Sequence, residues 1–408
     1  MSENAFVGKM KELYKNLCVD EWNANMTGVL VALFSILIAA WWRPWGAVGA
    51  IRNWGDWILY GVGAYGDAPD SILTNTGSVI GIGFVAGAFI SACLGNNFAF
   101  RVPPVLEMAK AVVAGLLMGL GAALSGGCNV GGFYNAIGNL SAHGFAMMLG
   151  LIVGAIIGLK YVYWEMENIS WGSGGAKTVE LPKAVQVVLG VAAVVLLVWG
   201  AYGYAADDES VEIASLSGLI LIAACLGYCM QRGRWCMIQG FREPHMTGNC
   251  TMAKSVALSI CILAVGTAVL KYGVPARLEG VAVLDKAQYV RGTFGWGAVV
   301  GGLIFGFAAI LVGGCGTGTL WRVGEGQIKL WLVVPFFAIS NSLITKWFKG
   351  MDLEGAFEDG AGKLGSFVFM PDTFLGYGGT LILILLVMAV WYLVVEWNEE
   401  TNKFVVEM

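Results

Sequence analysis

Charge is what this sequence has least of. Asp, Glu, Lys and Arg make up 13% of its 408 residues, where a soluble chain carries roughly 25%. With 57% hydrophobic residues and a mean hydropathy of +0.71, that deficit excludes a soluble globular domain and predicts a polytopic helical membrane protein. The short alternating segments of a β-barrel are missing too; the apolar runs are long and unbroken. A net charge of -4 gives no basic surface for nucleic acid. None of the nine cysteines forms a CxxC, a CxxCH or a paired zinc spacing. Most sit inside or at the ends of apolar runs, which argues against a disulfide framework and for free thiols. Nothing matches GxxxxGK[ST], so a concentration gradient, a consuming partner or coupled ions must drive any flux. MSENAFVGKMKELYKNLCVDEWN lacks the apolar core and cleavage site of a signal peptide. It is expected to lie on the membrane surface.

A span needs about twenty apolar residues. Ten stretches qualify, near 26–45, 77–95, 107–126, 144–163, 183–205, 213–231, 252–271, 296–314, 328–347 and 374–396. The stretch 46–63 carries Arg52 and Asp56 beside aromatic residues and reads as a surface helix, because Trp and Tyr favour the interface. The expected layout is an amphipathic segment over 1–25, a membrane repeat over 26–165, a linker over 166–182, a second repeat over 183–396 and a tail over 397–408. The larger share of Lys and Arg falls on the side of the termini, which places both termini inside by the positive-inside rule.

The repeat is visible without a gap. VVAGLLMGLGAALSGGCNVGG (112–132) lies on VVGGLIFGFAAILVGGCGTGT (299–319) at an offset of 187. The first copy ends an odd-numbered span and the second an even-numbered one, so the expectation is two inverted repeats. Such repeats place a site at broken helices near the midplane. Backbone that leaves a helix at membrane depth must be buried or line a cavity, and glycine permits the turn. Each Gly-Gly-Cys (Gly127 and Cys128, Gly314 and Cys315) is followed by polar residues, Asn129 in one case and Thr317, Arg322 and Glu325 in the other. Both stretches are expected to be short re-entrant helix-loop-helix segments whose amide ends favour an anion. For either copy alone, the plainer reading is that small residues and a buried thiol pack helices together.

A third element, QRGRWCMIQGFREPHMTGNCTMAKS, packs Arg234, Cys236, Arg242, Glu243, His245 and Lys254 into 231–255. Either it is an ordinary basic loop or WCMIQGF dips into the membrane around its thiol. Cys225, Cys229, Cys236, His245 and Cys250 are soft ligands that suit copper(I) or zinc, yet their spacing matches no standard metal site. His143 follows the first dip as a mouth residue.

These motifs resemble the YeeE/YedE family of sulfur- and selenium-related membrane transporters, nearer its YedE branch. The residues that carry the resemblance are GGCNVGGFY, CMIQGFREPHMTGNCTMAK and GGCGTGTLWRVGEGQ, with Glu243 where an Asp is expected. The resemblance implies inner-membrane uptake of thiosulfate or a related sulfur or selenium anion, without a cofactor. The anion would pass along spaced thiols that make S–H···S contacts, toward a cytoplasmic sulfur-carrier protein. Cys128, Cys236 and Cys315 match the motif cysteines. Asn129 and Thr317 would line the path, and Arg322, Arg242, Arg234 and Lys254 would steer the anion. Glu325, Glu243, His245, Gly127 and Gly314 would form the rim and the structure around it. Two other classes stay open. One is a membrane sulfurtransferase or thiol oxidoreductase with a persulfide on Cys236, which needs an activated thiolate. The other is a subunit that only anchors a partner.

Overall fold

The computed structural model describes residues 2–170, 172, 174–207, 210–273, 292–351 and 364–406. Helix α1 (Ser2–Tyr14) lies exposed ahead of the membrane body. Then come α2 (Ala24–Trp41), α3 (Ala47–Gly61), α4 (Thr76–Leu94), α5 (Val105–Leu124), α6 (Asn135–Gly138) and α7 (His143–Asn168). The second half holds α8 (Lys183–Ala205), α9 (Val211–Arg232), α10 (Met237–Met246), α11 (Thr251–Gly273), α12 (Trp296–Val312), α13 (Gly316–Gly324), α14 (Ile328–Gly350) and α15 (Gly376–Thr401).

Ten segments among the described residues are long and apolar enough to cross a membrane, and they coincide with the ten expected runs. Polar side chains start several of them. Asn23 Oδ1 accepts from the amides of Asn25 (2.8 Å) and Met26 (3.4 Å), and Asn75 Oδ1 accepts from the Ser78 amide at 3.1 Å. Each satisfies donors that the first helical turn leaves open.

Small residues let the helices approach. A methyl added at Gly87 of α4 would overlap the Ala224 carbonyl oxygen of α9, and one at Gly154 of α7 would overlap that of Leu303 in α12. Lipid offers no hydrophobic drive between helices, so such close packing is what holds them together. Charges at one set of helix ends are paired, which offsets their partial desolvation. Lys110 Nζ meets Glu165 at 2.7 Å and Lys329 Nζ meets Glu107 at 2.5 Å, which ties α5, α7 and α14.

The fold differs from the sequence reading in two places. Helix α3 is not merely laid on the surface: one face packs into the body, with Arg52 and Tyr60 on the exposed side. Ala50, Ile51, Asn53, Gly55 and Leu59 are buried, and a methyl at Gly55 would collide with the Ala338 carbonyl of α14. Asp56 is accommodated by a hydrogen bond from Ser342. The other difference is a small antiparallel pair of strands, β1 (Ala99–Val102) with β2 (Lys177–Glu180), which joins the loop after α4 to the linker.

Two buried segments interrupt this frame. Residues 127–141 are buried without exception between α5 and α7, and 314–321 between α12 and α14. Helices α5 and α12 run antiparallel. A methyl at Gly297, at the start of α12, would meet the Leu124 oxygen at the end of α5 (3.0 Å), and one at Gly121 would meet the Phe305 nitrogen (2.7 Å).

Candidate functional site

The two buried segments begin alike. Gly126 and Gly313 both take the left-handed conformation, with φ of 65° and 82°, which glycine adopts without the penalty of a Cβ. Two residues later the backbones coincide again, with φ/ψ of -81°/178° at Cys128 and -76°/-176° at Cys315. Each cysteine is the N-cap of a short helical element, a π-helical turn over Asn129–Tyr134 in one case and α13 in the other. Cys236 caps α10 in the same way, from an extended backbone.

These three starts converge. The Sγ atoms of Cys236 and Cys315 are 3.6 Å apart. Cys315 Sγ accepts from the Gly318 amide at 3.2 Å and lies 3.4 Å from Thr317 Oγ1. A methyl at Gly316 would stand 3.0 Å from Cys128 Sγ, and one at Gly318 would stand 2.9 Å from Cys236 Sγ. All three thiols are at most 1% exposed. The first turn of α13 therefore lies between them, and the missing side chains of Gly316 and Gly318 leave room for the thiols.

Asn129 is fully buried and reaches the Cys315 thiol, but neither end of its amide has an N or O hydrogen-bond partner among the described residues. The same holds for the Thr319 hydroxyl and the Trp321 indole N–H. Buried polar groups are normally satisfied, and these three unsatisfied ones fall on the two segments that Cys128 and Cys315 open. Arg322 brings positive charge beside Trp321. Its Nη1 donates to the Gly318 oxygen at 3.1 Å, and its guanidinium stacks 4.1 Å from the Trp321 ring centroid.

The remaining expected residues make other contacts. Glu325 is fully buried and holds Arg234 Nη2 at 3.2 Å and Arg101 Nη1 at 3.6 Å, with Gln327 Nε2 donating at 3.2 Å. Arg234 also meets Glu21 at 3.7 Å. Arg242 has a buried Nε without a partner among the described residues, and Glu243 accepts from Gln239. His245 Nδ1 meets the Phe404 oxygen at 2.9 Å, which fastens the C-terminal tail to the end of α10. Lys254 is tied to Glu396 and Glu399 of α15. Gly127 and Gly314 sit where the backbone folds over the next turn; a methyl on either would come 2.9 Å from Gly132 N or Arg322 Nη1. Cys93 and Cys250 pack in separate small apolar clusters. Among the described residues, no three His, Cys, Asp or Glu come together as a metal site.

Sequence reasoning missed the approach to Cys128. A cavity of about 180 Å³ leads to it, lined by Arg43, Trp45, Gly46, Arg52, Gly126 and Gly127. Helix α3 starts there, so its amide end and two guanidinium groups share one recess. A second alignment, at an offset of 190, would have revealed it: Trp45, Gly46 and Arg52 fall on Trp235, Cys236 and Arg242. Each indole N–H reaches a serine hydroxyl, though not an equivalent one: Trp45 Nε1 donates to Ser35 Oγ of α2 at 2.9 Å and Trp235 Nε1 to Ser255 Oγ of α11 at 2.8 Å.

The family pattern for sulphur transport matches residues 2–157 and 232–406, a range that holds all three converging thiols. The chain belongs to this Sulphur transport family. It is similar to "Probable transporter YedE" of Escherichia coli (strain K12), 25% identical over 372 residues, covering 87% of each chain. The protein of the same name in Salmonella typhimurium matches to the same extent. "Thiosulfate transporter TsuA" of Escherichia coli (strain K12) is 37% identical over 131 residues, 32% of this chain and 34% of that one. Residues 158–231, which hold α8 and most of α9, fall outside the family match.

Proposed function

We propose that this membrane protein takes up a small sulfur or selenium oxyanion of the thiosulfate kind through a path of spaced thiols. The supporting observation is the convergence of Cys128, Cys236 and Cys315 around Gly316 and Gly318 at the starts of three short helical segments. A thiol is a weak donor and a soft contact. It holds a polarizable sulfur atom loosely, and a conduction path needs binding that permits exit. The recess with Arg43 and Arg52 receives the oxyanion, and Cys128 is its floor. Cys236 and Cys315 then take the soft end, with Arg322, Asn129 and Thr317 around the oxygens.

In this reading the two halves are inverted repeats. The antiparallel α5 and α12, the matched left-handed glycines and the matched tryptophans support it. The recess at Cys128 faces outward, both termini lie in the cytoplasm, and the released anion meets a cytoplasmic sulfur-carrier protein. A thiosulfate specificity is supported by the partial likeness to a thiosulfate transporter.

Uptake by proteoliposomes of thiosulfate, sulfite, selenite and sulfate, compared side by side, tests the reading. Thiosulfate should enter well ahead of sulfate, which has no soft terminal atom. Equal rates for all four would defeat it. The close Cys236–Cys315 pair favours one second reading, a sulfurtransferase in which a Cys236 thiolate takes the outer sulfur of thiosulfate as a persulfide and sulfite leaves. Intact-mass measurement separates the two. The path reading predicts no adduct, and the enzyme reading a gain of one sulfur atom on Cys236.

A further inference from the structure

We propose that the cleft between α4, α8 and α14 holds a phospholipid with an anionic headgroup, whose acyl chain lies against the back of re-entrant helix α13. Two cavities meet there. One, of about 770 Å³, has an apolar lining that includes Val85, Phe89, Leu189, Ala193, Leu320 and Val323. The other, of about 580 Å³, is polar and lined by Asn97, Arg101, Lys183 and Gln186, with Glu180 at its edge. Phe98 and Leu181 line both, so the two adjoin.

The division follows membrane depth. The apolar part runs along spans α4 and α8, and the polar part lies where the chain leaves α4 and enters α8. Hydrocarbon and headgroup regions are stacked in the same order. A span from a second copy of this chain would fill the apolar part and leave the polar part unfilled. An amphiphile fills both.

Charge selects the headgroup. Arg101 is shared with Glu325, whereas Lys183 has no acidic partner among the described residues. Pro182 opens α8 without a side-chain cap, which adds the partial positive charge of a helix start. With Arg101 neutralised by Glu325, Lys183 and the helix start stand against the single carboxylate of Glu180, a slight positive excess that favours a phosphate with a net negative charge.

The site bears on transport through α13. This nine-residue helix has Cys315 as its N-cap, and its Leu320 and Val323 face the apolar cavity. An acyl chain there completes the packing of the element that holds the thiol. Helix α8, which forms the other wall, lies in the stretch that the family pattern passes over.

The test is native mass spectrometry of the full chain, released in mild detergent from vesicles of phosphatidylglycerol and phosphatidylcholine. One phospholipid should stay bound, with phosphatidylglycerol preferred. Lys183→Ala should lower that preference about fivefold, the value of one cation near an anionic headgroup. Ala193→Trp and Leu189→Trp, which fill the groove, should each abolish retention. No retained lipid, equal retention in the wild type and both groove variants, or a dimer mass that Ala193→Trp splits would overturn the proposal. Retention is read without transport, so its failure leaves the thiol path standing.

Discussion

Cys315 Sγ accepts a hydrogen bond from the Gly318 amide at 3.2 Å while lying 3.6 Å from Cys236 Sγ. One atom thus caps a helix and faces the second thiol. The two roles can be separated. Cys315→Ala removes the cap and should cost about 1 kcal/mol of stability. Cys315→Ser keeps an acceptor at the cap and should melt close to the wild-type temperature. Thermal unfolding in detergent, followed by circular dichroism, checks both.

The turns into the buried segments depend on left-handed glycines. Gly126→Ala and Gly313→Ala should each destabilise the protein by about 1–2 kcal/mol, the cost of that conformation for a residue with a Cβ. Gly316→Ala is different, because Gly316 is helical and alanine suits a helix. Its methyl would stand 3.0 Å from Cys128 Sγ. The protein should melt near the wild-type temperature, and uptake should fall by at least about tenfold, which is about 1.4 kcal/mol of barrier. Melting curves and uptake rates measured on the same preparations distinguish the cases.

The recess before Cys128 carries Arg43 and Arg52. Neutralising either, as in Arg52→Gln, should weaken the apparent affinity for thiosulfate about fivefold at low salt. The difference should shrink as ionic strength rises, since screening shortens the reach of these charges. An effect of equal size at all salt concentrations would count against a steering role.

If α3 and α10 are repeat partners, Gly46 stands where the other half has Cys236. Its backbone is extended, with φ of -172° and ψ of 146°, so a cysteine fits without strain. Gly46→Cys should place a thiol beside Cys128 as Cys236 stands beside Cys315. A mild oxidant should then link residues 46 and 128, detected as a cross-linked peptide after proteolysis. Absence of that peptide under conditions that oxidise the Cys236–Cys315 pair would contradict the repeat.

Much of this architecture was legible because membrane spans depend on local composition. The ten runs came from hydropathy alone, and the glycine turns came from one repeated Gly-Gly-Cys. Where sequence reading fell short, the deciding partner was remote. Helix α3 has the Trp, Arg and Asp of an interfacial helix, but its small face packs on Ala338 and its acid is met by Ser342. Lys254 falls in a basic stretch of the sequence and reads as part of the path, yet it lies in α11, where Glu396 and Glu399 of α15 hold it. The β1–β2 pairing joins four-residue strands on either side of α5 to α7, too short for periodicity to show. That Cys236 stands opposite Cys315 could be suspected from motifs, but no spacing gives a distance between residues 79 apart.

The most direct test of the thiol path is thiosulfate uptake by proteoliposomes bearing Cys236→Ala or Cys315→Ser, with folding verified by thermal melts. Loss of a soft contact where Cys236 and Cys315 meet should slow uptake at least about tenfold in each, about 1.4 kcal/mol of barrier. Wild-type rates in both folded variants would contradict the account.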